Sequence, residues 1–311
     1  MLKDVTRLLA ALRGTPRARA THATLRRRPP GPGAGLEILR GALPPTVDDD
    51  VEEPIFVFAA GWRSGSTLLQ RLALSDPSLL LWGEPYDRCG LVPVLANMLR
   101  AFDREWPPAA YFGPVDDGDR LADRWVANLY PPLTALRAAH RAFFLELLGQ
   151  PARARGAERW GFKEVRLGAD AARYLNWLFP RARFCFLYRN PYDAWRSYRQ
   201  RGAGWYREWP ARPVLTPRAF GAMWRELTRE FIDVAPAVGG LAVAYEALVS
   251  DPATVDRVEQ YFGLQVDRTV LGKRVAGSGE ARARPTWLPR AERWLLRSTV
   301  EPLATELGYH G

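Results

Sequence analysis

The chain has 311 residues, 47% hydrophobic and 25% charged, which suits one large buried core and excludes a disordered or fibrous protein. Two cysteines, Cys89 and Cys185, exclude a disulfide framework and read as buried thiols in a reducing compartment; His22, His140 and His310 are too far apart for metal-ligand spacing. The net charge of +10 gathers at the N-terminus, where residues 1–47 carry nine basic side chains against Asp4 and Glu37; the 35 basic and 32 acidic groups that remain are too even for a nucleic-acid-binding face.

The opening "MLKDVTRLLAALRG" places Val5, Leu8, Leu9 and Leu12 on one helical face. It is too short and charged to span a membrane, and Arg7 interrupts the apolar run a signal peptide needs. It suits either an anionic membrane surface or a solvated, self-packed terminal helix. "RRRPPGPGAG" (Arg26 to Gly35) reads as a flexible linker. Residues 1–50 are thus expected to be a basic arm and linker, and residues 51–311 the functional domain, in a cytoplasmic protein with membrane association through the arm as the variant.

From Val51 apolar strands alternate with helices. Strands are expected at Ile55–Ala59, Ser78–Trp82, Trp160–Lys163, Arg183–Tyr188 and Leu241–Ala244. Helices are expected at Thr67–Leu74, Ala171–Leu178, Tyr192–Arg199, Ala219–Val234, Thr254–Phe262 and Arg290–Leu307. This order predicts an α/β, P-loop NTPase-like three-layer fold, with a mainly parallel central sheet flanked by helices. Ligands in such sheets bind beyond the carboxyl ends of the strands, where every motif described below falls. A helical and loop insertion at about residues 93–157 breaks the alternation. With the Pro-rich stretch Gly204 to Pro217 it offers Trp106, Tyr111, Trp205 and Trp209 either as lid residues or as ordinary packing aromatics.

The first strand runs into "GWRSGSTLLQRL", a strand–loop–helix frame in which backbone N–H groups and a helix N-terminus hold an anion. Aligned to a Walker loop, Ala60 replaces the first glycine and Ser66 replaces the lysine, while Gly65 and Thr67 keep register. Without the lysine and its metal the loop argues against a kinase, and G-x-S-x-G is absent, which argues against a nucleophilic serine. The second strand ends in "WGEP". Glu84, a carboxylate at an apolar strand end among aromatics, is expected to have a raised pKa suited to a general base; a cap or an ion pair is the alternative. Lys163 stands out because only three of 44 basic residues are lysine, so a compact point charge at a strand end is not habit of usage; an ion pair with Glu164 or another acid is the structural alternative. After the fourth strand, "YRNPYDAWRSYRQR" places Arg189 at the strand end, Pro191 at the first helical position, Ser197 on the helix and Arg201 one turn further. These can converge on a second anion, so the two basic sites together predict a nucleotide phosphorylated at two separate positions.

At these residues the chain resembles the PAPS-dependent sulfotransferases. "WRSGSTLLQRL" resembles their 5′-phosphosulfate loop and "YRNPYDAWRSYR" their 3′-phosphate motif. The spacing is most similar to the tyrosylprotein sulfotransferase-like branch: Arg63–Thr67, Gly83-Glu84, Phe162-Lys163-Glu164, Arg189 eight residues before Ser197, and Tyr245-Glu246. The Arg-rich, Lys-poor usage looks like a bacterial member. The resemblance implies a donor, 3′-phosphoadenosine 5′-phosphosulfate, bound by the loop residues Arg63, Ser64, Gly65, Ser66 and Thr67, with Ser66, Thr67 and the loop amides gripping the 5′-phosphosulfate. Arg189, Ser197 and Arg201 would hold the 3′-phosphate, and Tyr245 would support the nucleotide. It further implies Glu84 as base, Lys163 at the departing phosphate oxygen, and Ser278 and Arg284 in a late segment covering the reacting centre and the nucleotide. No metal is implied. Cytosolic relatives use histidine as base, which leaves His140 as the internal alternative. The acceptor would be a hydroxyl of a carbohydrate, glycolipid, secondary metabolite or tyrosine. Competing readings are a P-loop kinase or NTPase, which needs a loop lysine, and a non-catalytic nucleotide-binding protein on the same fold.

Overall fold

A computed structural model describes residues 32–43, 51–86, 89–102, 122, 130–199, 214–273 and 288–310. Helix α1 (Pro32–Ala42) comes first, with Leu36 and Leu39 fully buried. Strand β1 (Ile55–Ala59) leads through a loop into α2 (Ser66–Ala73), followed by β2 (Leu79–Trp82) and α3 (Leu91–Asn97). Helices α4 (Leu133–Phe144) and α5 (Gln150–Arg153) flank a π-helical turn at Leu145–Gly149, and β3 (Arg159–Glu164) follows. Then come α6 (Ala169–Leu178), β4 (Arg183–Tyr188), α7 (Pro191–Arg199) and α8 (Pro217–Val234). The chain continues through β5 (Leu241–Ala244), α9 (Tyr245–Ser250), α10 (Pro252–Phe262), α11 (Arg290–Val300) and α12 (Leu303–Glu306).

The five strands form one parallel sheet in the order β2-β3-β1-β4-β5. All five residues of β1 are buried, as expected of a central strand covered on both faces. One face is aromatic by period-two alternation: Phe56 and Phe58 stand in register with Phe184 and Phe186 of β4. Phe56 also meets Trp160, Phe162 and Phe179, with ring centroids 4.8 to 6.2 Å apart, while Phe186 packs on Phe231 of α8. The step from β1 to β2 and the step from β3 to β4 run in opposite directions across the sheet. With right-handed crossovers, α2 and α6 therefore lie on opposite faces. That makes the three layers. All strand carboxyl ends then share one edge.

Several expectations are corrected. The linker read over Arg26–Gly35 gives way to helix from Pro32, because Leu36 and Leu39 find the core and proline is tolerated in a first turn. The single helix expected over Arg290–Leu307 is two helices. Glu301, which precedes Pro302, is extended (φ −79°, ψ 146°), the conformation that a following proline ring favours. Cys185 is buried in β4 but Cys89 is exposed. Among the described residues no helix is long and apolar enough to cross a membrane. The arm residues 1–31 and the aromatics Trp106, Tyr111, Trp205 and Trp209 lie outside the described residues.

Candidate active site

Five strand ends line one edge of the sheet and hand their loops to a single row of side chains. Across that row, in sheet order, stand Glu84 after β2, Lys163 near the end of β3, the Gly61–Ser66 loop after β1, Arg189 after β4 and Tyr245 after β5.

The central loop is shaped by left-handed backbone. Gly61 (φ 80°) lies against Met223, where a Cβ would come 2.3 Å from the methyl carbon. Gly65 (φ 92°) caps α2, and a Cβ there would lie 2.1 Å from the ring of Tyr245. Glycine is therefore required at Gly65 twice, by conformation and by the close approach of an aromatic ring. No side chain caps α2, so the first-turn N–H groups and the positive end of the helix dipole face the loop. Ser66 is buried, Thr67 is exposed, and Ser64 is buried with its hydroxyl donating to the Gly61 carbonyl at 2.8 Å. Arg63 is left-handed without being glycine (φ 68°), a conformation that costs about 1–2 kcal/mol. It is held there at both ends: its carbonyl accepts from Arg189 Nη1 at 3.0 Å, and its Nε donates to Ser197 Oγ at 2.9 Å.

Arg189 is positioned by the turn into α7. Asn190 caps that helix by accepting the Tyr192 N–H at 2.9 Å, and Pro191 sits at its start. The Arg189 guanidinium lies over the Tyr245 ring, 4.3 Å from the centroid, and its Nε is buried with no hydrogen-bond partner among the described residues. Ser197, two turns along α7, is buried and faces Arg63. Arg63, Ser197, Arg189, Tyr245 and the α2 N-terminus thus form one cationic cradle.

At the other end of the edge, Lys163 Nζ and Glu84 Oε1 make an ion pair at 2.6 Å, with the lysine side chain 7% exposed and the carboxylate 25% exposed. The apolar setting expected around Glu84 is thus replaced by a charged neighbour. Glu164 does not pair with Lys163. Its carboxylate is taken in two-pronged fashion by Arg166, at 2.9 and 2.8 Å, and accepts the Val165 N–H. Burial pushes the Glu164 carboxyl above its usual range, the Arg166 bonds oppose this, and the nearby Glu84 charge adds to it. His140 is not one of the strand-end residues: it lies on α4, buried, with its Nδ1 2.6 Å from the hydroxyl of Tyr174 on α6, and burial lowers its pKa. Arg201, Ser278 and Arg284 lie outside the described residues.

The family model for sulfotransferases matches residues 54–268, which span every element of this edge from β1 to α10. The chain belongs to the sulfotransferase family. Solved structures similar to this sulfotransferase include the sulfotransferase domain of the Synechococcus PCC 7002 olefin synthase, at 20% identity over 83% of this chain and 96% of that one (TM-score 0.45). The sulfotransferase domain from the curacin biosynthetic pathway is 16% identical over 84% and 99% (TM-score 0.47). A sulfotransferase from Alicyclobacillus acidocaldarius is 16% identical over 84% and 98% (TM-score 0.42). Likenesses at this level say nothing about chemistry. No curated protein matches the chain.

Sequence reading missed two residues that pack on this sulfotransferase's cradle: Met223 against Gly61, and Trp224, whose Nε1 donates to the Arg189 carbonyl. Both sit on α8 and carry no signal beyond helix periodicity. Their roles arise from packing.

Proposed function

We propose that this sulfotransferase moves the sulfuryl group of 3′-phosphoadenosine 5′-phosphosulfate to an acceptor hydroxyl, with Glu84 as general base. The observation that carries the reading is the Glu84–Lys163 pair, which stands on the same sheet edge as a lysine-free anion loop and a second cationic site. The cradle suits the donor. The N–H groups of Gly65, Ser66 and Thr67 and the α2 N-terminus would take the 5′-phosphosulfate, and Arg63, Arg189 and Ser197 the 3′-phosphate. Tyr245 would bear on the nucleotide from behind Gly65. Arg201 and Arg284 would complete the nucleotide's contacts and Ser278 those of the reacting centre.

In the reaction the acceptor oxygen attacks sulfur while the bond from sulfur to the bridging phosphate oxygen breaks. The hydroxyl proton goes to Glu84, whose Oε2 has no hydrogen bond among the described residues. Lys163 stabilises the negative charge that develops on the bridging oxygen, and adenosine 3′,5′-bisphosphate leaves. Because Lys163 reaches Glu84 in the free protein, its swing to the donor would release the carboxylate for the acceptor. No step calls for a metal. The motif spacing, most like that of the tyrosylprotein branch, bears on donor and base, and the acceptor stays a hydroxyl compound of open class: carbohydrate, glycolipid, secondary metabolite or tyrosine.

The test is incubation of labelled donor with extracts of the producing cell, followed by identification of the labelled product by mass. Transfer to a hydroxyl compound, lost in Glu84→Ala, is expected. No transfer to any acceptor, or unchanged turnover in Glu84→Ala, overturns the reading.

A further inference from the structure

The turn that carries Arg189 is braced by groups that the proposed reaction does not use, and this inference rests on the donor reading above. The peptide joining Arg189 to Asn190 is held at both polar atoms. Trp224 Nε1 donates to the Arg189 carbonyl at 2.8 Å, and the Asn190 N–H donates to Glu246 Oε1 at 3.0 Å. The second oxygen of Glu246 accepts the Tyr309 hydroxyl at 2.8 Å. Tyr309 is buried against Tyr188 and Trp224, each ring centroid 6.4 Å from its own. Side chains from α8 and α9 thus meet on one peptide, and one from the segment after α12 holds the second of them.

A carboxylate at this place is a hazard for an anion site. Glu246 Oε1 is 4.0 Å from Arg189 Nε, too far for a hydrogen bond, and that Nε is buried with no hydrogen-bond partner among the described residues. Left to itself, the carboxylate would close on the arginine and compete with a bound phosphate. Both of its oxygens are instead occupied elsewhere, one by a backbone N–H and one by a phenol. We propose that Tyr309 is a positioning residue for nucleotide binding: by holding Glu246 off Arg189, it keeps that guanidinium available for the 3′-phosphate. Burial and the adjacent carboxylate push the Tyr309 phenol up, so it remains a donor through the pH range in which the protein is assayed.

The experiment measures, by calorimetric titration of the full chain, the Kd of adenosine 3′,5′-bisphosphate and of adenosine 5′-monophosphate, which lacks the 3′-phosphate. Tyr309→Phe keeps the ring and removes the hydroxyl. It should weaken the bisphosphate by about tenfold, the scale of one charge-assisted hydrogen bond, and leave the monophosphate unchanged. Adding Glu246→Gln, which removes the competing charge, should restore bisphosphate binding to within about twofold of wild type. If Tyr309→Phe does not fold, Glu246→Gln alone decides: it should bind the bisphosphate at least as tightly as wild type, and weaker binding overturns the proposal. Equal weakening of both nucleotides, or an unchanged Kd in Tyr309→Phe, overturns it while leaving the donor reading intact. Wild type that binds neither nucleotide overturns both.

Discussion

At the β4/β5 end of the sheet edge, Arg189 touches Tyr245 and Arg63, and its flanking peptide is bonded to Trp224 and Glu246. At the β2/β3 end, among the described residues, Glu84 has one bonded partner, Lys163. The turn that carries Glu84 also holds Tyr86, 65% exposed and left-handed at φ 55°. On the proposed function, the contrast follows from what each end has to do. A cationic cradle must keep several like charges and a strained Arg63 in place before any anion arrives, and only redundant bonding does that. A base and its lysine need one short contact that can be exchanged for another. On that reading the first end is organised for affinity and the second for turnover.

That division can be broken by experiment. Glu84→Ala should lower kcat by about 10²–10⁴-fold, the range of general base catalysis, with the Kd of adenosine 3′,5′-bisphosphate unchanged. A parallel loss of nucleotide affinity would show that the two ends are not separate. Lys163→Ala should cost about 10²–10³-fold in kcat, as for loss of one group that meets developing charge. Steady-state rates at saturating donor measure it, and a variant at wild-type rate would return Lys163 to a structural ion pair. Gly65→Ala acts on the other end. The methyl group must displace the Tyr245 ring from a 2.1 Å approach and hold φ 92°, so we expect a stability loss of about 1–3 kcal/mol in thermal unfolding. Bisphosphate affinity should fall with it by more than about tenfold, because the loop N–H groups shift. The smallest effect is expected for Tyr245→Leu. Losing the cation–π contact with Arg189 should weaken the bisphosphate by about fivefold, the value of about 1 kcal/mol, without changing kcat at saturation. Reduced kcat there would blur the boundary between the two ends.

Most of the architecture was legible in the sequence. The strands at Ile55–Ala59, Arg183–Tyr188 and Leu241–Ala244 have the expected bounds, and the others differ by at most a residue at either end. Apolar strands between helices leave a parallel sheet few alternatives. The errors came where a local rule met a tertiary demand. Gly and Pro read as linker at Pro32–Gly35, yet Leu36 and Leu39 drew the segment into the core. Periodicity ran through Pro302, but a following proline disfavours helical backbone, and Glu301 is extended. Lys163 was legible as unusual from composition alone, whereas its partner was not, because Glu84 and Glu164 are equally acidic on paper. The aromatic signal suggested an apolar pocket around Glu84, and the structure supplies a lysine instead.

The order of the elements, the lysine-free loop, the glycine at Gly65 and the eight-residue step from Arg189 to Ser197 are written along the chain. These depend on spacing along one strand or helix, which backbone geometry converts directly into position. Which acid meets Lys163, that Arg63 turns to Ser197, that Tyr245 closes on Gly65 and that Tyr309 reaches Glu246 are set by the packing of the whole chain. The first three join residues brought together by the sheet order β2-β3-β1-β4-β5 and the last is made by the segment after α12; no local pattern encodes which side chains share an edge once the strands are shuffled.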